Sequence, residues 1–168
     1  MTKEAFIEVL DTENYSYEIE GDKIIVTHEK GMDLKDLTSL PPDVVFENAG
    51  SVLLKSLTFL PPSVEFRNGG HLSMFSLTSL PPGVVFENTG ALYMDSLISL
   101  PPGVVFRNGS DVSLRSITSI PNDVVFVNGG NVFLESIIGD WFIEWEGNIE
   151  GIEPNRLLNV MVKRGMFI

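Results

Sequence analysis

The sequence predicts a mainly β protein, a single-domain parallel β-solenoid of 20-residue turns with a helix-hairpin N-terminal cap and a helical C-terminal cap. Three observations predict it. A 20-residue unit returns in the same phase five times between Gly31 and Gly130 without an insertion, each unit carries two short segments that alternate apolar and polar with period two, and proline and glycine corners separate those segments. A unit that keeps its phase this strictly is one supersecondary turn stacked on copies of itself. The organisation follows as one repeat domain over 1–168, with an N-terminal cap at 1–30, solenoid repeats at 31–138 and a C-terminal cap at 139–168.

An open stack needs covers. At the start, Thr2 is placed to cap a short helix running through Leu10, with Phe6, Ile7, Val9 and Leu10 as its apolar contacts and acidic residues on its wet side. A hairpin follows, Tyr15 to Glu20 and Lys23 to Thr27 around a Gly21-Asp22 turn, and the two together protect the first solenoid edge.

The units begin at Gly31, Ser51, His71, Ala91 and Asp111, and a sixth begins at Asn131 and loses the pattern after Ile138. Val112 with Leu114, and Val124 with Phe126, read as two strands per unit with one side buried. Pro41-Pro42, Pro61-Pro62, Pro81-Pro82 and Pro101-Pro102 fix the backbone and lack donors, so they belong between strands; the fifth corner relaxes to Pro121-Asn122. At the opposite corner, Gly50, Gly69-Gly70, Gly90, Gly109 and Gly129-Gly130 are expected where positive φ is needed.

If successive turns pair as parallel strands about 4.8 Å apart, each repeat position becomes a ladder. Phe46, Phe66, Phe86, Phe106 and Phe126 form a buried aromatic ladder, beside Val44, Val64, Val84, Val104 and Val124. The neighbouring outward position reads Glu47, Arg67, Glu87 and Arg107 before Val127 ends the alternation, which favours cross-strand pairing and disfavours a one-turn slip. Asn48, Asn68, Asn88, Asn108 and Asn128 follow, expected either to bond along the stack or to cap the turn. Ser56, Ser76, Ser96, Ser116 and Ser136, opened by Asp36, are expected to serve turn hydrogen bonding, because no histidine recurs at a phase that could activate them.

Beyond the repeats, Ile137 to Glu146 replaces the proline corner with bulky side chains, and Pro154 to Phe167 reads as a terminal helix with Leu157, Leu158, Met161 and Val162 as its apolar stripe. This segment is expected to plug the last core layer.

Composition excludes several classes. No cysteine is present, so disulfides and thiolate metal sites are absent. The first residues lack the basic start and apolar run of a signal peptide, and no stretch reaches the roughly 18 apolar residues of a membrane span, so a soluble cytoplasmic protein is expected. With 23 acidic and 11 basic residues the net charge is −12, and residues 1 to 30 alone carry eight acids against three bases. That balance opposes direct binding to nucleic acid or an anionic membrane and suits a basic protein partner.

The candidate recognition stripe is the outward pair of positions on the first strand. One reads Lys35, Lys55, Phe75, Asp95, Arg115 and Glu135; the other reads Asp33, Leu53, Ser73, Tyr93, Ser113 and Phe133. These vary from turn to turn while core and corner positions barely change, so Lys55, Phe75, Tyr93, Asp95, Arg115, Phe133 and Glu135 are the predicted partner-binding residues, with the aromatic ones as anchors. Glu144 and Glu146, two residues apart, have the spacing of a general acid and base on one strand face, and equally that of the wet side opposite Trp141, Ile143 and Trp145. His28 and His71 fall at different phases, which gives no metal trio and no histidine relay. Phosphate-loop and calcium-repeat motifs are missing, and no cofactor is implied.

The unit V-x-L-x-S-L-T-S-L-P-P-G-V-V-F, together with the closing NRLLNVMVKRGMFI and the opening KEAFIEVL to KIIVTH segments, resembles the short leucine-rich-like repeats of bacterial and phage-encoded proteins with their caps. The unit lacks the internal Asn/Cys step of typical leucine-rich repeats, which favours a compact β-solenoid over a horseshoe. The resemblance implies a bacterial or phage setting, and within it a small acidic protein that blocks a host defence or nucleic-acid enzyme. The expected function is non-catalytic protein binding. An acidic nucleic-acid mimic and a carbohydrate-active enzyme using Glu144 and Glu146 are the alternatives.

Overall fold

The computed structural model describes residues 1–136. Each 20-residue unit forms one coil with two very short strands, and the coils stack into a β-solenoid of parallel sheets. With strands numbered in chain order, one sheet runs β1 (Tyr17–Glu20), β2 (Lys23–Val26), β4 (Val44–Phe46), β6 (Glu65–Phe66), β8 (Val85–Phe86), β10 (Val105–Phe106) and β12 (Val125–Phe126). The other runs β3 (Met32–Asp33), β5 (Val52–Leu53), β7 (Leu72–Ser73), β9 (Leu92–Tyr93), β11 (Val112–Ser113) and β13 (Val132–Phe133). Every pairing between coils joins residues 20 apart, such as Val105 with Val125 and Val112 with Val132, so the sequence period is the structural register.

The core follows from the alternation. In the coil that opens at Asp111, Val112, Leu114, Ile117, Ile120, Val124 and Phe126 are buried, and the same phases are buried in the coils before it apart from half-buried Leu37 and Leu80. Phe46, Phe66, Phe86, Phe106 and Phe126 stack face to face, with centroid separations of 5.1, 5.9, 5.6 and 4.7 Å and nearly parallel rings. A buried phenylalanine contributes roughly 1.5–3 kcal/mol by leaving water, and an aromatic pair adds about 0.5–1.5 kcal/mol. The stack is therefore the main apolar spine.

The N-terminal cap closes that spine at one end. Helix α1 (Lys3–Thr12) is capped by Thr2, whose hydroxyl accepts from the Ala5 N–H at 3.2 Å, and it buries Phe6 and Leu10. Phe6 meets Phe46 edge-on at 6.4 Å and 70°, ending the face-to-face series. The two edges are covered differently. The hairpin strands β1 and β2 are antiparallel to each other, and β2 then joins β4 in parallel, so the hairpin extends one sheet. The other sheet begins at β3, where the outward Asp33 N–H donates to the Tyr15 hydroxyl at 2.9 Å. The expected C-terminal cap at 139–168, with Glu144 and Glu146, lies outside the described residues.

Two expectations about the corners change, and a third resolves to one of its two alternatives. The glycine corner is not a positive-φ site: positive φ falls after the prolines, at Asp43, Ser63, Gly83 and Gly103. The glycines serve close approach instead. A Cβ on Gly70 would lie 2.5 Å from the Ser51 nitrogen, and one on Gly90 would lie 2.5 Å from the Gly70 carbonyl carbon. All five asparagines are buried, and four cap their own coil, Asn48, Asn68, Asn88 and Asn128 each donating Nδ2–H to the carbonyl two residues on at 2.7–2.9 Å, whereas the Asn108 side chain makes no such bond. Asn48 and Asn68 also reach the preceding coil, at Lys30 and Gly50, so capping dominates over amide-to-amide bonding along the stack. Finally, the turn after the first strand is closed by backbone bonds, Leu57 to Leu54, Leu77 to Met74, Leu97 to Met94 and Ile117 to Leu114, rather than by the hydroxyls of Ser56, Ser76, Ser96 and Ser116.

Candidate functional site

The sheet that starts at β3 carries the predicted stripe. The third residue of each unit ends a two-residue strand and the fifth stands in the turn or bend that follows, not on the strand as the sequence predicts, so the two lie on either side of the buried fourth residue. The structure divides this stripe into three zones.

The centre is aromatic. Phe75 is 37% exposed, and its ring lies 5.6 Å from that of half-buried Tyr93 on the next coil. His71 joins them from the adjoining corner, 6.2 Å from Tyr93. Its Nδ1 accepts the Ala91 N–H at 2.9 Å, so the imidazole is held as part of the corner. Ser51 and Asp111 do the same work at the same phase, accepting from the N–H of His71 and Asn131.

One flank is an ion network. Arg115 pairs with Glu135 and lies 3.9 Å from Asp95, and it also covers the Phe133 ring at 5.6 Å. Buried Ser113 ties the network together, donating its hydroxyl hydrogen to Asp95 and accepting from Arg115 Nε–H at 3.2 Å. Four of the predicted residues, Asp95, Arg115, Phe133 and Glu135, are thus one preorganised unit rather than four separate contacts. Ser73 and Ser113 were expected at the surface and are instead buried, shielded by their larger neighbours.

The other flank is basic and acidic at once. Asp33 pairs with Lys35 at 2.9 Å, and the hydrogen bonds from the Lys35 side chain and backbone hold the Asp33 carboxyl below the usual range. Lys55 is exposed and forms no ion pair among the described residues.

The sheet on the other side of the coil carries the alternating charges, and they pair as expected. Arg67 contacts Glu47 at 3.2 Å and Glu87 at 3.7 Å, and Arg107 contacts Glu87 at 3.3 Å. Glu65 joins them, bonded to Arg67 and to Lys23 at 2.9 Å. The sequence reading missed Glu65, whose signal was a carboxylate at the phase where Val45, Val85, Val105 and Val125 stand. The hydrogen bond from Lys23 is the main reason its carboxyl sits below the ordinary range, against the opposing effect of partial burial.

A cleft of about 350 Å³ opens beside this row, lined by Pro62, Val64, Pro81, Pro82, Glu65 and Arg107 among others. Its acids and bases are engaged with one another, so the cleft presents no uncommitted acid and base aimed at a common point. Among the described residues no cluster of three metal-ligating side chains occurs, and no helix is long and apolar enough to cross a membrane. Comparison with protein-family models, with curated proteins and with solved structures finds no match.

Proposed function

We propose that this protein is a non-catalytic binding module that engages a protein partner through the outward face of the sheet containing β7, β9 and β11. The observation that carries this reading is the pairing of exposed Phe75 with half-buried Tyr93 on the adjacent coil, set on an otherwise uniform frame and flanked by the Arg115 network. Aromatic side chains are strong interface anchors because they bury large area at low entropic cost, and a rim of fixed charges supplies specificity more than affinity. The frame is rigid in the relevant sense, since buried rungs lie directly beneath the outward residues, so the patch needs little ordering on binding.

Under the resemblance of the repeats to bacterial and phage proteins, the partner is a host protein, and the acidic balance of the chain favours a basic one. Nucleic-acid mimicry draws less support from the geometry, because Glu47 and Glu87 alternate with Arg67 and Arg107 and pair with them instead of forming a row of bare carboxylates.

The test is capture from bacterial lysate by the wild-type chain and, in parallel, by the doubly substituted Phe75→Ser, Tyr93→Ser chain, with retained proteins and nucleic acids identified together. A protein retained by the first and lost by the second, with both chains equally folded by circular dichroism, is the expected result. Identical sets of retained species would overturn the assignment of this face.

A further inference from the structure

The hairpin closes one edge of the solenoid and exposes another. Strand β1 is the outermost strand of its sheet, and nothing among the described residues pairs with its far side. The direction of its backbone groups follows from the register. The Thr27 N–H donates to the Ser16 carbonyl at 3.0 Å, which makes Ser16–Thr27 a hydrogen-bonded pair. Alternation along an antiparallel ladder then makes Glu18–Ile25 and Glu20–Lys23 hydrogen-bonded pairs, and it turns the N–H and C=O groups of Tyr17 and Ile19 away from β2. Two residues therefore offer a complete set of unpaired strand donors and acceptors.

The side chains define what fits there. Ile19 is 54% exposed and lies on the same strand face as Tyr17, while Glu18 and Glu20 project from the opposite face. Asp11, which accepts from the Tyr17 hydroxyl at 3.1 Å, adds a carboxylate on the Tyr17 side, and Asp22 stands in the turn. The lysines of the cap are largely committed elsewhere: Lys3 to Asp43 and Lys23 to Glu65. The edge is thus acidic with one apolar step.

We infer that β1 is a strand-addition site for an extended basic peptide segment, one that alternates lysine or arginine with aliphatic residues. Such a segment takes its backbone hydrogen bonds from Tyr17 and Ile19, its cations face Glu18 and Glu20, and its aliphatic side chain covers Ile19. A second copy of this chain is the wrong occupant. Antiparallel pairing of two β1 strands about Ile19 would set Glu18 of each copy against Glu20 of the other, and like charges directly opposite destabilise a strand pair. The same charges that keep the edge from pairing with itself select a cationic strand. This surface is separate from the Phe75–Tyr93 face, so either can stand without the other.

The experiment uses the full chain labelled with nitrogen-15 and two amidated six-residue peptides, one alternating valine with lysine and one alternating valine with glutamate. The lysine peptide is expected to shift the amide resonances of Tyr17 and Ile19, to slow their exchange with solvent, and to bind more weakly as salt rises. Ile19→Pro removes an outward donor without touching the β1–β2 bonds and is expected to weaken binding about fivefold, the value of one backbone hydrogen bond. The Glu18→Lys, Glu20→Lys chain is expected to prefer the glutamate peptide, which gives a readout with the edge backbone intact. Amide shifts confined to other surfaces, no shift at millimolar peptide, or equal binding of both peptides to the wild-type chain would each overturn the inference.

Discussion

The amide of Val85 does not reach the carbonyl of Val64, although the equivalent bonds from Val105 to Val84 and from Val125 to Val104 are both 3.0 Å. Only Phe66 and Phe86 pair between β6 and β8, and their rings show the widest separation in the stack. The cleft beside Glu65 opens at this same step, and half-buried Leu80 marks it from within. The departures coincide with the one coil that carries glutamate in place of valine at this phase, where Glu65 is drawn toward Lys23 and Arg67.

Amide exchange should single out that step. Val85 lacks the bond that protects Val105 and Val125, so its amide is expected to exchange at least about tenfold faster than either under native conditions. Residue-resolved hydrogen exchange followed by nuclear magnetic resonance measures this directly, and equal protection at the three valines would contradict the opened seam.

The two kinds of corner glycine should respond differently to alanine. Gly90→Ala drives a Cβ into the Gly70 backbone and is expected to cost about 2 kcal/mol or more, because neither chain can yield without parting two coils. Gly83→Ala meets open space and pays only for its positive φ, about 1 kcal/mol, a conformation that Asp43 and Ser63 already adopt. Urea midpoints of the two variants give the order.

Asn88 offers a test with a pH signature. Asn88→Ala removes the bond to the Gly90 carbonyl and is expected to destabilise by about 1–2 kcal/mol. Asn88→Asp should be worse at neutral pH, by about 3 kcal/mol or more, since it buries an unpaired carboxylate against a carbonyl. Burial raises the folded-state pKa of such a group above its unfolded value, so protons bind preferentially to the folded chain and the aspartate variant recovers stability as the solution is acidified. Denaturation of both variants between neutral and mildly acidic pH distinguishes capping from simple space filling.

Glu65 predicts the opposite slope. Its folded pKa is depressed by Lys23 from an ordinary value of 4.5, so its contribution is fully present above that value and disappears as pH falls through the lowered one. The stability difference between wild type and Glu65→Gln should be constant near neutral pH and vanish in acid. The pair is partly exposed, so the difference is expected to be small, under about 1 kcal/mol, and to shrink with salt.

Much of the frame is legible in the sequence because a repeat converts a local pattern into a global one. Phe46 to Phe126 could be placed in one ladder from spacing alone, and Glu47, Arg67, Glu87 and Arg107 could be paired from sign and phase. Thr2 and the Gly21-Asp22 turn carried the cap in the same way, through local chemistry. What the residues could not convey were relations between coils that leave no compositional mark. Glycine is compatible both with positive φ and with a crowded backbone, and only the distance from Gly90 to Gly70 separates the two. Likewise the stripe read as independent surface positions until Ser113 proved buried beneath Asp95 and Arg115, joining them into one network. Tyr15 as the cover for the Asp33 amide depends on how a loop folds back, which no period encodes.

The sign alternation at Glu47, Arg67, Glu87 and Arg107 has a period of two coils, whereas the fold has a period of one. Deleting residues 51–70 would therefore leave every apolar rung matched yet bring Glu47 beside Glu87, while deleting 51–90 would set Glu47 beside Arg107. Units lying between Glu47 and Arg107 can thus be lost without bringing like charges together only in even numbers, so parity constrains how this part of the array can change.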